Sequence, residues 1–267
     1  MCELFALSSR HPATVDFSLE ELARRGGETG PHKDGWGIAY YEDDDVRLIR
    51  EPSAASESDW LRFVEAHHLR SRTVVSHIRK ATIGKRQLSN TQPFSRELGG
   101  RMHVFAHNGH LPGIQQSFAL GMHRPIGGTD SEHAFCALLA RLEQLWLSLD
   151  EIPSFDQRLE AVAAFAADLR ALGLANFIYA DGATLFAHGH RRPHGTDGIR
   201  PPGLCMLRRR CSSEEPSLAA TGVTVTLEDQ DVVLLASVPL TDEPWAPLGE
   251  GEVVAVKDGE IAVRAMP

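Results

Sequence analysis

No stretch of the 267 residues approaches the roughly 18 consecutive apolar positions of a membrane-spanning helix, and the N-terminus lacks a basic region followed by an apolar one. A helical membrane protein and a secretory leader are therefore not expected, and the expected location is the cytoplasm. Cysteine is scarce. The four, at positions 2, 136, 205 and 211, show no CxxC spacing, which argues against a zinc ribbon or a disulfide scaffold. Basic charge is in deficit: 27 Lys and Arg against 36 Asp and Glu leave a net charge of −9, so no sequence-wide nucleic-acid footprint is expected. There is no internal repeat and no linker that clearly divides the chain. One domain over 1–267, without metal or organic cofactor, is the expectation.

What is present is ordinary globular material, 42% hydrophobic and 24% charged, enough for one sizeable core. Short strands dominate the first half. Residues 2–8 read as a strand, and 37–41 with 46–49 flank the acidic run 42–45 as a hairpin. Residues 73–78 and 102–107 are apolar stretches that each lead into a polar cluster, the usual place for functional groups. Two helices follow. Thr129-Asp130-Ser131-Glu132 matches a capping box, and a second helix starts near Ser154 and closes at Gly173. Asp181-Gly182 and Asp258-Gly259 mark hairpins, and 232–238 reads as a central strand covered on both faces. The segment 191–202, rich in Pro and Gly, reads as a long irregular loop, a lid or a surface excursion. Many strands with few grouped helices indicate an α+β protein, and two antiparallel sheets packed face to face under helices would bury this sequence.

Cys2 follows Met1 directly. Removing that methionine would leave a thiol and a free α-amino group on one residue, a nucleophile with its own base. An α-amino group titrates at about 8, near the optimum for a general base at neutral pH. Standing alone, the residue would be an ordinary buried cysteine opening a strand. Four other segments change that reading. In Ser76-His77-Ile78-Arg79-Lys80-Ala81-Thr82 a strand delivers Arg79, whose planar fork suits an α-carboxylate, and then Thr82, whose hydroxyl adds a donor. Asn108-Gly109 offers a side-chain amide beside a backbone N–H, the parts of an oxyanion hole. Asp130 could hold a substrate ammonium. The glycines of His32-Lys33-Asp34-Gly35-Trp36-Gly37 permit close backbone approach. Separately these are a surface arginine, a turn, a helix cap and a loop.

In combination, Cys2, Arg79-x-x-Thr82, Asn90-Thr91-Gln92-Pro93-Phe94, His107-Asn108-Gly109 and Thr129-Asp130-Ser131-Glu132 resemble the class II glutamine amidotransferases, N-terminal nucleophile hydrolases, over nearly the whole chain. Gly30 to Gly37 and Cys2-Glu3-Leu4 are most similar to the stand-alone bacterial subgroup of the YafJ type. The resemblance implies a four-layer αββα sandwich. It implies Cys2 as nucleophile with its α-amino group as base, Asn108 and Gly109 as oxyanion hole, and Arg79, Thr82 and Asp130 as glutamine ligands. The implied reaction is hydrolysis of the glutamine side-chain amide through a thioester, releasing ammonia and glutamate.

Two residues depart from the pattern. Lys80 replaces an aromatic residue found after the arginine in larger members, and Gln92 stands where many have histidine. No sequence is left to build the acceptor domain of those larger members, so any ammonia acceptor would belong to a separate synthase. Two other readings compete: an amidohydrolase acting on a γ-glutamyl amide of a larger metabolite, with 191–202 walling a roomier pocket, and an inactive binding or regulatory module, motivated by Lys80 and Gln92. The expected partner is a small molecule, with no nucleic acid and no membrane. His67-His68 and His188-x-His190 are read as structural or exposed.

Overall fold

The structure is a computed structural model that describes residues 1–15, 21, 24–82, 84–147, 151–211 and 229–267, the side chain of Cys211 excepted. Its strands are β1 (Glu3–Ala13), β2 (Trp36–Glu42), β3 (Asp45–Glu51), β4 (Ser71–Ile78), β5 (Phe94–Leu98), β6 (Arg101–His110), β7 (Leu174–Ala180), β8 (Leu185–His188), β9 (Arg192–Pro193), β10 (Ile199–Arg200), β11 (Cys205–Cys211), β12 (Gln230–Ala236), β13 (Ala246–Pro247), β14 (Val253–Lys257) and β15 (Glu260–Ala265). They form a seven-stranded sheet ordered β13-β11-β12-β1-β4-β2-β3, a six-stranded sheet ordered β15-β14-β8-β7-β6-β5 and a separate two-stranded pair, β10-β9. All of these strand pairs are antiparallel.

Alternation along each strand divides the apolar residues between two faces. Leu4 and Ala6 of β1, Ala39 of β2 and Val75 of β4 meet Val104 and Ala106 of β6, Ile178 and Ala180 of β7 and Ala187 of β8 in the core between the sheets. Phe5, Leu7, Ile38 and Val74 face outward from the first sheet, onto Leu61 and Val64 of helix α1 (Asp59–His67). On the far side of the second sheet, Phe105 and Phe177 pack on α2 (Asp130–Trp146) and α3 (Phe155–Leu172). Helix, sheet, sheet, helix is the four-layer αββα sandwich of an α+β protein.

Two local expectations are corrected. Thr129 caps α2 by accepting from the Glu132 N–H at 3.2 Å. Glu132, however, does not return the bond, because its carboxylate accepts from the Ile126 and Gly127 N–H groups and from Arg96. The reciprocal box is complete at α3 instead, between Ser154 and Gln157. Segment 191–202 is not wholly irregular: β9 and β10 pair within it, with Arg192 opposite Arg200.

Candidate active site

Strand register gathers the site. Glu3 of β1 and Trp36 of β2 both pair with Ile78 of β4. The residue before β1 is Cys2, the residue after β4 is Arg79, and the residue before β2 is Gly35, so three strand ends meet at one edge. The Arg79 N–H donates to the Gly35 carbonyl at 2.7 Å. Beyond it the chain turns so that the Lys80 N–H donates to Cys2 Sγ at 3.3 Å, with the Lys80 carbonyl 3.5 Å from the same sulfur. Asp34 fixes this turn from the glycine-rich loop by accepting from the Ala81 N–H at 2.8 Å.

Arg79 is buried, and its guanidinium donates to the carbonyls of Lys85 and Gly84, each at 3.2 Å. The arginine thus holds down the loop in which Thr82 is exposed. From the second sheet, β6 presents Asn108 to the first. The amide nitrogen of Asn108 donates to the Cys2 carbonyl at 2.5 Å and lies 3.3 Å from Ser237 Oγ, while its Oδ1 is buried without a protein partner. Next to it Gly109 admits no side chain: a β-carbon there would lie 1.7 Å from the Leu174 carbonyl oxygen. Asp130, first residue of α2, accepts from the Leu111 N–H at 2.9 Å and lies 3.3 Å from His110 Nδ1. Arg79 and Asp130 both act electrostatically on the Cys2 thiol, in opposite senses.

Burial pushes the Cys2 thiol up, against the Lys80 N–H, the terminal amine and Arg79, which favour thiolate. The terminal amine moves the other way: burial lowers it, Lys80 and Arg192 lower it further, and Cys2 and Glu3 oppose them. A thiol that holds its proton beside an amine that gives one up readily is an arrangement in which the sulfur needs a base and has one at hand. In this structure that amine belongs to Met1, whose carbonyl is held by His32 Nε2 at 2.7 Å.

Gln92 has a structural place. Its Oε1 accepts from the His107 N–H at 2.6 Å and its Nε2 donates to the His107 carbonyl at 3.1 Å, so the side chain pairs with β6 as a strand would. That removes one of the two residues motivating an inactive module. Three further residues at this edge carry no role in the sequence reading: His32, Ser237 and Arg192. Ser237 N donates to the Leu4 carbonyl and Ser237 Oγ accepts from the Leu4 N–H, each at 3.0 Å. Arg192 is buried, donates to the Ser237 carbonyl, and has an unpartnered Nε. Their sequence signal is faint, because nothing local distinguishes a polar residue in a loop from one folded under a nucleophile. Among the described residues, no group of three or more His, Cys, Asp or Glu could hold a metal ion, and no helix is long and apolar enough to cross a membrane.

Two stacked antiparallel sheets between helices, with Cys2 at the start of β1 where three strand ends meet, have the N-terminal-nucleophile type of architecture. The chain belongs to the class II glutamine amidotransferases, whose family model matches residues 1–267. It is 37% identical over 257 residues to a protein of Escherichia coli described as "Putative glutamine amidotransferase YafJ", covering 94% of this chain and 96% of that protein. Among solved structures it is similar to a protein from Pseudomonas aeruginosa described as a "predicted glutamine amidotransferase", with 34% identity, a TM-score of 0.71, and 98% and 100% of the two chains covered. The glutamine phosphoribosylpyrophosphate amidotransferase of Bacillus subtilis shares the fold at 15% identity and a TM-score of 0.63; there 99% of this chain matches 49% of the larger one.

Proposed function

We propose that this chain, acting as one domain over 1–267 and freed of Met1, hydrolyses the side-chain amide of glutamine. The carrying observation is the position of Cys2 Sγ, 3.3 Å from the Lys80 N–H and within the fields of Arg79 and Asp130. The α-amino group takes the thiol proton and sulfur bonds to the amide carbon, moving an electron pair onto the oxygen. Asn108 and the Gly109 N–H meet that oxyanion. Losing one such donor typically costs about 10²- to 10³-fold in turnover. The oxyanion collapses, the C–N bond breaks, and the leaving nitrogen takes the proton back from the α-ammonium and departs as ammonia. Water then cleaves the γ-glutamyl thioester to glutamate and restores the thiol. Arg79 and Thr82 bind the α-carboxylate and Asp130 the α-ammonium, so an analogue lacking either charge loses a charge-assisted bond to a side chain of the site. Ammonia would pass to a separate synthase.

Replacing Cys2 by Ala in protein whose processed N-terminus is verified by intact mass should abolish both glutaminase turnover and covalent labelling by a glutamine-like electrophile. Undiminished labelling in that variant would remove Cys2 from the mechanism.

One observation favours a second reading, a γ-glutamyl amide of a larger metabolite. Arg192, from segment 191–202, is buried with an unpartnered Nε, and its charge acts on the amine of Met1, next to the position the processed amine would take. The same assay run with γ-glutamyl amides of acidic amines separates the two substrates by kcat/KM.

A further inference from the structure

His32 is buried in the glycine-rich loop, and both ring nitrogens face backbone carbonyls: Nδ1 lies 3.2 Å from the Arg25 carbonyl and Nε2 2.7 Å from that of Met1. A neutral imidazole has one N–H and one lone pair, so only an imidazolium satisfies two carbonyls together. Processing removes one of the two. The Met1 carbonyl carbon is bonded to Cys2 N, and peptide geometry puts that nitrogen within about 5 Å of His32 Nε2. The Arg25 carbonyl remains, in a segment tied to the nucleophile's neighbour by the Arg25–Glu3 contact at 3.7 Å. With its N–H given to Arg25, the ring then turns an acceptor lone pair toward the space the methionine carbonyl has left.

We infer that His32 is the positioning residue for the terminal amine of the processed chain, accepting an N–H from it, directly or through one water, so that the amine's lone pair is turned on Cys2 Sγ. This rests on the reading of Cys2 given above. The other groups near this terminus are charges: on the amine of Met1, one residue away, Lys80 and Arg192 disfavour the ammonium, while Cys2 and Glu3 favour it. Of these surroundings His32 supplies direction, because a hydrogen bond is sensitive to angle where a screened charge is not. Both the ammonium and the neutral amine have an N–H to give, so the contact persists through the proton transfer. It favours the ammonium more, and its loss lowers the pH at which the amine titrates.

The test uses processed protein and the variants His32→Ala and His32→Gln, the second restoring an acceptor oxygen. Turnover is followed against pH, and the Cys2 amine is titrated separately by NMR with 15N label. His32→Ala is expected to lower kcat about 10- to 100-fold, the scale of a misplaced reacting group, with KM for glutamine within about 2-fold. The amine titration and the acid limb of kcat should both move to lower pH, and His32→Gln should recover part of each change. An amine titration and acid limb in folded His32→Ala that coincide with the parent's overturn the inference. If His32→Ala does not fold, His32→Phe, which keeps ring volume without an acceptor, decides by the same two readouts. Labelling by the glutamine-like electrophile separates the two levels: retained labelling with slowed turnover isolates His32, whereas a parent that never labels fails at Cys2 and takes this inference with it.

Discussion

A β-carbon on Gly109 would lie 1.7 Å from the Leu174 carbonyl oxygen and 2.6 Å from His107 Nε2, so Gly109→Ala has to pry β6 away from β7 where Asn108 is held. The expected outcome is a loss of about 1 to 3 kcal/mol in stability together with most of the glutaminase turnover, read by urea denaturation and the ammonia assay. At this scale the candidate site was legible where residue type alone is informative. A cysteine at position 2, an arginine at a strand end and Asn-Gly after an apolar stretch each name a kind of bond, and the structure brings Cys2, Arg79, Asn108 and Asp130 to one edge. Thr82 lies in the neighbouring loop, exposed. His32 and Arg192 were illegible as partners of the terminus because the groups they meet, the carbonyls of Met1 and Ser237, are 31 and 45 residues away in sequence.

Helix α3 is pinned to the β7–β8 turn by a buried ion pair. Arg158 donates to Asp181 Oδ2 at 2.7 Å, and Asp181 Oδ1 accepts from the N–H groups of Ala183 and Thr184 at 3.0 and 2.8 Å. Replacing Arg158 by Met strands a buried carboxylate, and a loss of about 3 to 5 kcal/mol in chemical denaturation is expected. Asp181→Asn in the same background should return part of that loss, since the two turn N–H groups keep an acceptor. The Asp-Gly hairpins were readable because Gly182 and Gly259 take positive φ, of 83° and 75°, as such turns require. Strand β11 was not, since Arg208, Arg209 and Arg210 hide it. Burial of Arg209 depends on Glu243, and Arg210 finds Asp231 on β12, so the strand is paired by partners that local pattern does not show. Helix α1 is hidden in the sequence for a related reason: Trp60 and Phe63 are exposed on it, which blurs its apolar stripe.

For the molecule as a whole, pH should govern stability through buried imidazoles. Burial lowers His77 and His188 to about 3 and His103 to about 4. Each therefore binds a proton on unfolding at any pH between those values and the unfolded value near 6.5, so their stabilisation is complete above that and drains away as pH falls. At pH 5 each costs on the order of 2 kcal/mol, and the urea midpoint should drop clearly between pH 7 and 5, before most carboxylates titrate. An unchanged midpoint would mean these rings are protonated in the fold. The α+β class was legible from the strand and helix pattern, but periodicity gives strands and faces without saying which sheet a strand joins; the four-layer sandwich followed from the resemblance of the motifs. Its thickness matters to the chemistry. Cys2 and Arg79 hang from one sheet and Asn108 and Gly109 from the other, and small residues, Ala6, Ala39, Ala106, Ala180 and Ala187, lie in the layer between. These alanines act as the spacer of a caliper. One enlarged by a few carbons would open the jaws, and the enzyme could fall silent with every residue of its mouth intact.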